Sequence, residues 1–278
     1  MTAVLLCAGF GTRMGEEATP KPLLEVGGTS FLDVLAADLA EAESLDAIHV
    51  ATNHRYAQAF RAWADVRAPE YEEKGTTVTV HDDGVEHPDD ALGAVGDLRF
   101  VLDRVDVPSD GPSDGVVVAG VDSLYRFPLA PLVDAVDGNR SRLLALYEPD
   151  EDARRHSSVL HLNGKRVEAV TDAGAAPDAD ADPFVSPLVH FLTDRDVQSV
   201  GPYLDAGHDA DDFGPFVNTL AQTRRVDAIR MPETAGLRFH CNTAEQLDEA
   251  RQALETESRL LLDAETLRRR FGDERRAS

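Results

Sequence analysis

An apolar run of buried-strand length, Ala3-Val4-Leu5-Leu6-Cys7-Ala8, ends on Gly9-Phe10-Gly11-Thr12-Arg13-Met14, and Lys21-Pro22-Leu23-Leu24 follows shortly after. A strand that stops on two glycines constrains the fold, because the chain must turn tightly where the strand ends. Gly9 and Gly11 carry no Cβ, so the N–H groups of the loop can come close to an anion. Thr12 adds a donor, Arg13 a planar guanidinium matched to phosphate oxygens, and Lys21 a compact second charge. A glycine pair alone is only a tight turn; with Thr12, Arg13 and Lys21 the stretch reads as a phosphate grip.

A second stretch repeats the pattern. Gly115-Val116-Val117-Val118-Ala119-Gly120-Val121-Asp122 is a short valine run bounded by glycine, the signature of a central parallel strand, and it delivers a carboxylate at its C-terminal end, where ligands bind in open α/β sheets. Between the two, helical spacing over Ser30–Ala42 (with Thr29 or Ser30 as N-cap), Tyr56–Val66 and Ala91–Leu102 alternates with strand patterns over Asp46–Thr52 and Thr76–His81. Strands alternating with helices predict an α/β fold: a Rossmann-like, doubly wound mixed sheet with helices on both faces.

After Leu143 the pattern changes. Leu143–Tyr147, Ser158–Leu162, Arg166–Val170 and Pro187–Phe191 are short strand candidates, with Asn163-Gly164 as a hairpin turn. The alternation Asp178-Ala179-Asp180-Ala181-Asp182 lacks the glycine and distal Glu of an EF-hand and reads as a solvated loop. The tail from Thr243 to Phe271 is a charged helical stretch with Leu247, Ala250, Leu254, Leu261 and Leu267 inward; packing on its own domain is preferred over support of a homo-oligomer. The expected organisation is an α/β domain over 1–242 and a helical extension over 243–278.

The formal net charge is −24 across 278 residues, and the only lysines are Lys21, Lys74 and Lys165. Such an acidic field argues against nucleic acid and anionic membranes as partners. Hydrophobic residues make up 42% of the chain, too much core-forming material for an acidic disordered tail. The expectation is a solvated acidic surface suited to a high-salt cytoplasm. With only Cys7 and Cys241, no disulfide framework is expected.

Together these residues resemble the nucleoside-diphosphate-sugar pyrophosphorylase family, the sugar-phosphate nucleotidyltransferases, in a divergent member of haloarchaeal type. Leu6–Met14 resembles the family's opening loop, Pro20–Gly28 the segment after it, Ala119–Tyr125 its metal-binding strand end, and Gly236–Thr243 a weaker C-terminal match. Asp82-Asp83-Gly84 with Leu92–Leu98 is similar to one bacterial and archaeal branch. The resemblance implies a reaction in which a sugar 1-phosphate attacks the α-phosphorus of a nucleoside triphosphate and releases pyrophosphate. It assigns Ala8, Gly9, Gly11, Thr12, Arg13, Asp83, Gly84 and Gly93 to the nucleotide and Arg13 and Lys21 to catalysis. Asp122 falls to Mg²⁺ (with Mn²⁺ as alternative), and His240 stands as a weaker metal candidate.

Three departures stand out. His240 occupies the place of the family's second metal-binding Asp, and neutral imidazole is a poor Mg²⁺ ligand but a good one for softer transition metals. Cys241 beside it would point to the opposite face of a strand and complete no zinc site. The family's Glu-Lys-Pro lysine is absent around Val170-Thr171-Asp172-Ala173-Gly174, leaving Arg154, Arg155, Lys165 or Arg166 as substitutes. The loop between Arg13 and Lys21 is short, and Met14-Gly15-Glu16 is similar to the related cytidylyltransferases. These losses keep a second reading open, a catalytically impaired nucleotide-binding homologue that partners an active relative. A dinucleotide-dependent oxidoreductase fits less well: the third glycine of that fingerprint is missing and Arg13 stands where its loop must stay small.

Overall fold

The computed structural model describes residues 1–11, 19–105, 115–172, 174, 183–241, 243–256 and 259–272. In chain order the first half holds β1 (Thr2–Leu6), β2 (Glu25–Val26), β3 (Thr29–Ser30), α1 (Phe31–Leu39), β4 (Ala47–Thr52), α2 (Ala57–Glu72), β5 (Thr77–Asp82), α3 (Ala94–Leu102), β6 (Val116–Gly120), β7 (Ser123–Tyr125) and α4 (Ala130–Ala135). The second half holds β8 (Arg142–Tyr147), α5 (Glu151–Arg155), β9 (Ser158–Asn163), β10 (Arg166–Thr171), β11 (Phe184–Ser186), β12 (Val189–Leu192), α6 (Asp194–Val197), α7 (Val200–Asp205), α8 (Phe213–Thr223), β13 (Asp227–Arg230), β14 (Arg238–His240), α9 (Ala244–Thr256) and α10 (Ala264–Phe271). The class is mixed α/β, as the alternating patterns imply.

The chain folds as two compact units. The first comprises Met1–Ala91, Gly120–Asp137 and Leu237–Ser278; the second comprises Leu92–Ala119 and Gly138–Gly236. In the first unit β1, β4 and β5 run parallel, with Leu5 opposite Val50 and Val50 opposite Val80. Ala3, Val4 and Leu5 of β1 are buried at successive positions, as a strand covered on both faces demands, whereas β5, at the sheet edge, buries no residue. The crossover helix α1 starts on the Ser30 cap, whose Oγ accepts from the Asp33 N–H, and it buries Phe31, Leu32, Leu35 and Leu39. The helix expected to end at Val66 continues to Glu72, through Pro69. Tyr71, 1% exposed, gives the last turn an apolar anchor in the core.

The second unit carries a mixed sheet in the order β11-β9-β10-β13-β8-β12-β6. β12 runs antiparallel to both β6 and β8, β13 parallel to β8, and β9–β10 is the hairpin expected at Asn163-Gly164, with Gly164 at φ +64°. Phe213, Phe216, Val217 and Leu220 give α8 one buried face. The C-terminal tail is two helices rather than one stretch, α9 and α10. Leu247, Ala250 and Leu267 are buried as expected, but Leu261 is 41% exposed, because it lies in the bend between the helices and only its N–H is used, donated to the Arg126 carbonyl. The Asp-Ala repeat of 178–182 lies outside the described residues. Among the described residues no helix is long and apolar enough to cross a membrane.

Candidate functional site

The N-terminal run delivers its loop to the C-terminal edge of the parallel strands. Cys7 N donates to the Ala51 carbonyl at 2.9 Å, which carries the β1–β4 ladder one step beyond Leu6. Asn53, fully buried, then pins the turn: its Nδ2 donates to the Ala8 carbonyl at 2.7 Å while its Oδ1 accepts from Tyr56 N at 3.1 Å. Past this clamp Gly9 is exposed and Gly11 stands at φ +64°, a conformation that only glycine adopts without strain. A Cβ built on either glycine meets nothing within 4 Å, so the backbone faces open space. Thr12 and Arg13 lie outside the described residues. Asn53 was not singled out in the sequence; its amide donates and accepts at once, which lets it tie the Ala8 loop to the start of α2.

The next strand end adds the Asp83-Gly84 turn. Asp83 N donates to the Thr52 carbonyl at 2.9 Å, and its carboxylate accepts from Val85 N at 2.7 Å. Burial pushes that carboxyl up, against the pull of the Val85 N–H. Gly84, at φ +83°, donates its N–H to Asp82 Oδ1 at 3.0 Å. Asp82 in turn is held by His54 and by Arg61 of α2, at 3.0 and 2.9 Å. Ala8, Asn53 and Asp83 therefore end three adjacent parallel strands, the place where α/β sheets bind ligands. Gly93 belongs to the second unit. There its φ of +78° and the carbonyl of Ala210, with which a Cβ would collide, account for the glycine. The first N–H groups of α3 are already donated, Ala94 N to the Asp211 carbonyl and Val95 N to that of Ala210.

The residues that the resemblance assigns to a metal, Asp122 and His240, meet in the first unit. β14 pairs antiparallel with β7, with His240 opposite Ser123 and Arg238 opposite Tyr125, and Cys241 N donates to the Asp122 carbonyl at 3.1 Å. That register sets His240 Nε2 2.9 Å from Asp122 Oδ2. Lys21 Nζ lies 4.0 Å from the same oxygen, and the Ser123 hydroxyl donates to Asp122 Oδ1 at 2.8 Å. Lys21 opens a short 3-10 turn between Pro20 and the buried Pro22, so two fixed φ angles aim its largely buried side chain. Burial would raise the Asp122 carboxyl, but the His240 hydrogen bond and the charges of His240, Lys21 and Arg238 hold it well below the usual carboxylate range. Burial pushes the Cys241 thiol up to about 11, so Cys241 is protonated at neutral pH in the free protein. Ser123 and Arg238 were not anticipated as partners of Asp122; the strand pairing that brings them there is nonlocal.

Around residues 170–172, where the resemblance calls for a lysine, the described residues place an acid. Asp172 stands there, its Oδ1 buried without a partner, its carboxyl pushed up by burial and by Asp212 and Asp209. Arg154 is spent on the carbonyls of Glu148 and Pro149, and Arg155 on Glu151 and Asp152 of its own helix. Lys165 and Arg166 sit at the β9–β10 turn.

Among the described residues no three His, Cys, Asp or Glu side chains gather as a metal site. Asp122 and His240 supply two converging donors, one oxygen and one nitrogen. An ion there would take its other ligands from substrate oxygens and water, a sharing that hard dications accept.

Residues 3–125 match the family described as the MobA-like NTP transferase domain. Among solved structures the chain is similar to a protein assigned as a glucose-1-phosphate thymidylyltransferase from Bacillus anthracis, in complex with sucrose, at 15% identity and TM-score 0.72 over 92% of this chain and 96% of that one. It is also similar to the inositol-1-phosphate CTP transferase from T. maritima, at 12% identity and TM-score 0.66 over 92% and 96% of the two chains. A UDP-glucose pyrophosphorylase complexed with UDP-glucose aligns at 12% identity and TM-score 0.70 over 91% and 98%. These likenesses establish the fold. No curated protein matches the sequence.

Proposed function

From the match of residues 3–125 to the MobA-like NTP transferase domain, we propose that this protein transfers a nucleoside monophosphate from an NTP to a sugar 1-phosphate or related phosphate acceptor. An acceptor phosphate oxygen bonds to the α-phosphorus, the bond from that phosphorus to the bridging oxygen breaks, and pyrophosphate leaves. The observation that carries this reading is the convergence of Lys21, Asp122 and His240 in the unit that also holds the open glycine loop.

The chemistry needs little beyond positioning and neutralisation, because charge accumulates on the transferring phosphoryl group and on the leaving pyrophosphate. N–H groups around Gly9 and Gly11 bind the triphosphate without side-chain interference. Lys21, balanced by Asp122 in the free protein, exchanges that partner for the α-phosphate or the attacking phosphate. Arg13, from the sequence, neutralises the departing pyrophosphate. Asp122 and His240 are the residues that would hold a dication, which would add neutralisation of phosphate oxygens. Asn53 holds the loop in register through the Ala8 carbonyl.

One observation favours a second reading, an impaired nucleotide-binding homologue: Asp172 places an acid where the family resemblance calls for a lysine. Pyrophosphate release decides between the two. The assay is run in molar KCl, which suits a chain of net charge −24, with Mg²⁺ or Mn²⁺ and nucleoside triphosphates scanned against sugar 1-phosphates. The transfer reading expects at least one pair to turn over. If none does while a triphosphate still raises the melting temperature, the impaired reading replaces it.

A further inference from the structure

Two polar atoms of the second unit, Asp172 Oδ1 and the Tyr203 hydroxyl, lie out of reach of solvent, and among the described residues neither has a hydrogen-bond partner. Folded proteins rarely leave such groups unanswered. β10 delivers Asp172 immediately after Thr171, and Asn218 ties that strand to α8: its Oδ1 accepts from Val170 N at 2.6 Å and its Nδ2 donates to the Val170 carbonyl at 2.8 Å. The Asp172 carboxylate therefore lies over the first turn of α8, against Gly214, where a Cβ would strike it. In the same turn Phe216 meets the Tyr203 ring edge-on, with centroids 5.2 Å apart, and His208 stacks on that ring at 4.8 Å. Tyr203 is 5% exposed, while His208 and Asp209 form an exposed rim. The charges that act on both groups are negative. Burial, Asp212 and Asp209 push the Asp172 carboxyl up, and burial, Asp209 and Asp172 push the Tyr203 phenol up. Carboxylates only accept hydrogen bonds, so the region combines acceptors with negative charge and calls for a donor-rich cation. A primary ammonium brings three N–H donors and a positive charge in one compact head. A metal ion fits less well, since among the described residues no three His, Cys, Asp or Glu side chains gather to hold one.

We infer that Asp172, Asp209 and Tyr203 bind the primary ammonium group of a small molecule, with Asp172 and Tyr203 at the buried end and Asp209 at the rim. The ammonium donates to Asp172 Oδ1, to the Asp209 carboxylate and to the phenolic oxygen, and it offsets the repulsion among the acids. A quaternary ammonium, which has no N–H, cannot make these bonds. This site lies within the second unit and stands apart from the transfer reading.

The probe is ethylammonium chloride added to the full chain in concentrated tetramethylammonium chloride, a salt that screens the acidic surface without offering N–H donors, and binding is read by saturation-transfer NMR. The expected result is transfer to the ethyl protons in the wild type. Asp172→Asn should weaken binding by about tenfold or more, through loss of a charge-assisted bond, and Tyr203→Phe by about fivefold, through loss of a neutral one. Neither should lower the melting temperature, because each removes a buried group that lacks a partner. Asp248→Asn, at an exposed acid of α9 in the first unit, removes the same charge and should leave binding as it was. No transfer in the wild type, or undiminished transfer in folded Asp172→Asn and Tyr203→Phe proteins, would overturn the inference. So would displacement of the amine by KCl at concentrations where further tetramethylammonium chloride has no effect, which would assign the site to a monatomic cation. The wild-type measurement needs no variant to fold. Ethylammonium binding without pyrophosphate release from any acceptor keeps this site and sinks the transfer reading; turnover without amine binding does the reverse.

Discussion

Gly9 and Gly11 in the first unit and Gly93 and Gly214 in the second differ in what a side chain there would meet. A Cβ at either of the first two has no neighbour within 4 Å, whereas at Gly93 it would strike the Ala210 carbonyl and at Gly214 the Asp172 carboxylate. The contrast separates glycines that face open space from glycines kept for packing. It also divides the motifs found in the sequence: the N-terminal loop faces open space, while Gly93, grouped with it by family resemblance, has a sufficient packing role of its own.

The comparison can be broken most severely at Lys21. Lys21→Ala should cut kcat/KM in the pyrophosphate-release assay by about 10²-fold or more while the melting temperature stays within a few degrees, since the proposed role of the lysine is to neutralise phosphate charge. A loss of fold instead of rate would make Lys21 a structural partner of Asp122. Next comes Gly93→Ala, which puts a side chain at φ +78° against backbone that cannot move aside. It should destabilise by about 2–3 kcal/mol. Differential scanning calorimetry should then record a drop of roughly 5–10 °C. Gly9→Ala should leave the melting temperature unchanged, because its Cβ points into open space; a drop as large as that of Gly93→Ala would erase the distinction.

The smallest effect concerns pH. Burial pushes the Asp38 carboxyl up to about 6, against the N–H groups of Leu129 and Ala130, and Leu129 N is 2.6 Å from Oδ2. A folded pKa above the ordinary 3.8 means that the fold favours the protonated form. This contribution is whole below about pH 4 and is lost as pH rises through about 6. Asp38→Asn keeps an acceptor for Leu129 and cannot ionise. It should stabilise the protein by about 1 kcal/mol at pH 7.5 and leave it unchanged near pH 4. Chemical denaturation at the two pH values checks the sign.

The first unit was legible because its signals are local. Apolar runs of strand length, a Ser30 cap and glycines at strand ends each act within a few residues, and β1, β4, β5 and α1 fall where the patterns put them. The second unit was less so. β13 is only four residues long, and α8 carries Gly214 and Pro215 in its first turn, residues that read as breakers although Pro is tolerated there. The Asp122–His240 contact joins residues 118 apart, and no spacing rule reaches that far; only the family resemblance aligned them. Asn53 was hidden for a related reason, since its partner Ala8 is 45 residues away.

The central claim is that the loop from Gly9 to Arg13 grips a triphosphate. Calorimetric titration of a non-hydrolysable nucleoside triphosphate into the wild type and Arg13→Ala in high KCl tests it directly. The account predicts one site per chain and an affinity at least about tenfold weaker in Arg13→Ala, the cost of one bidentate charge-assisted contact to phosphate. Equal affinity in the two proteins would contradict it.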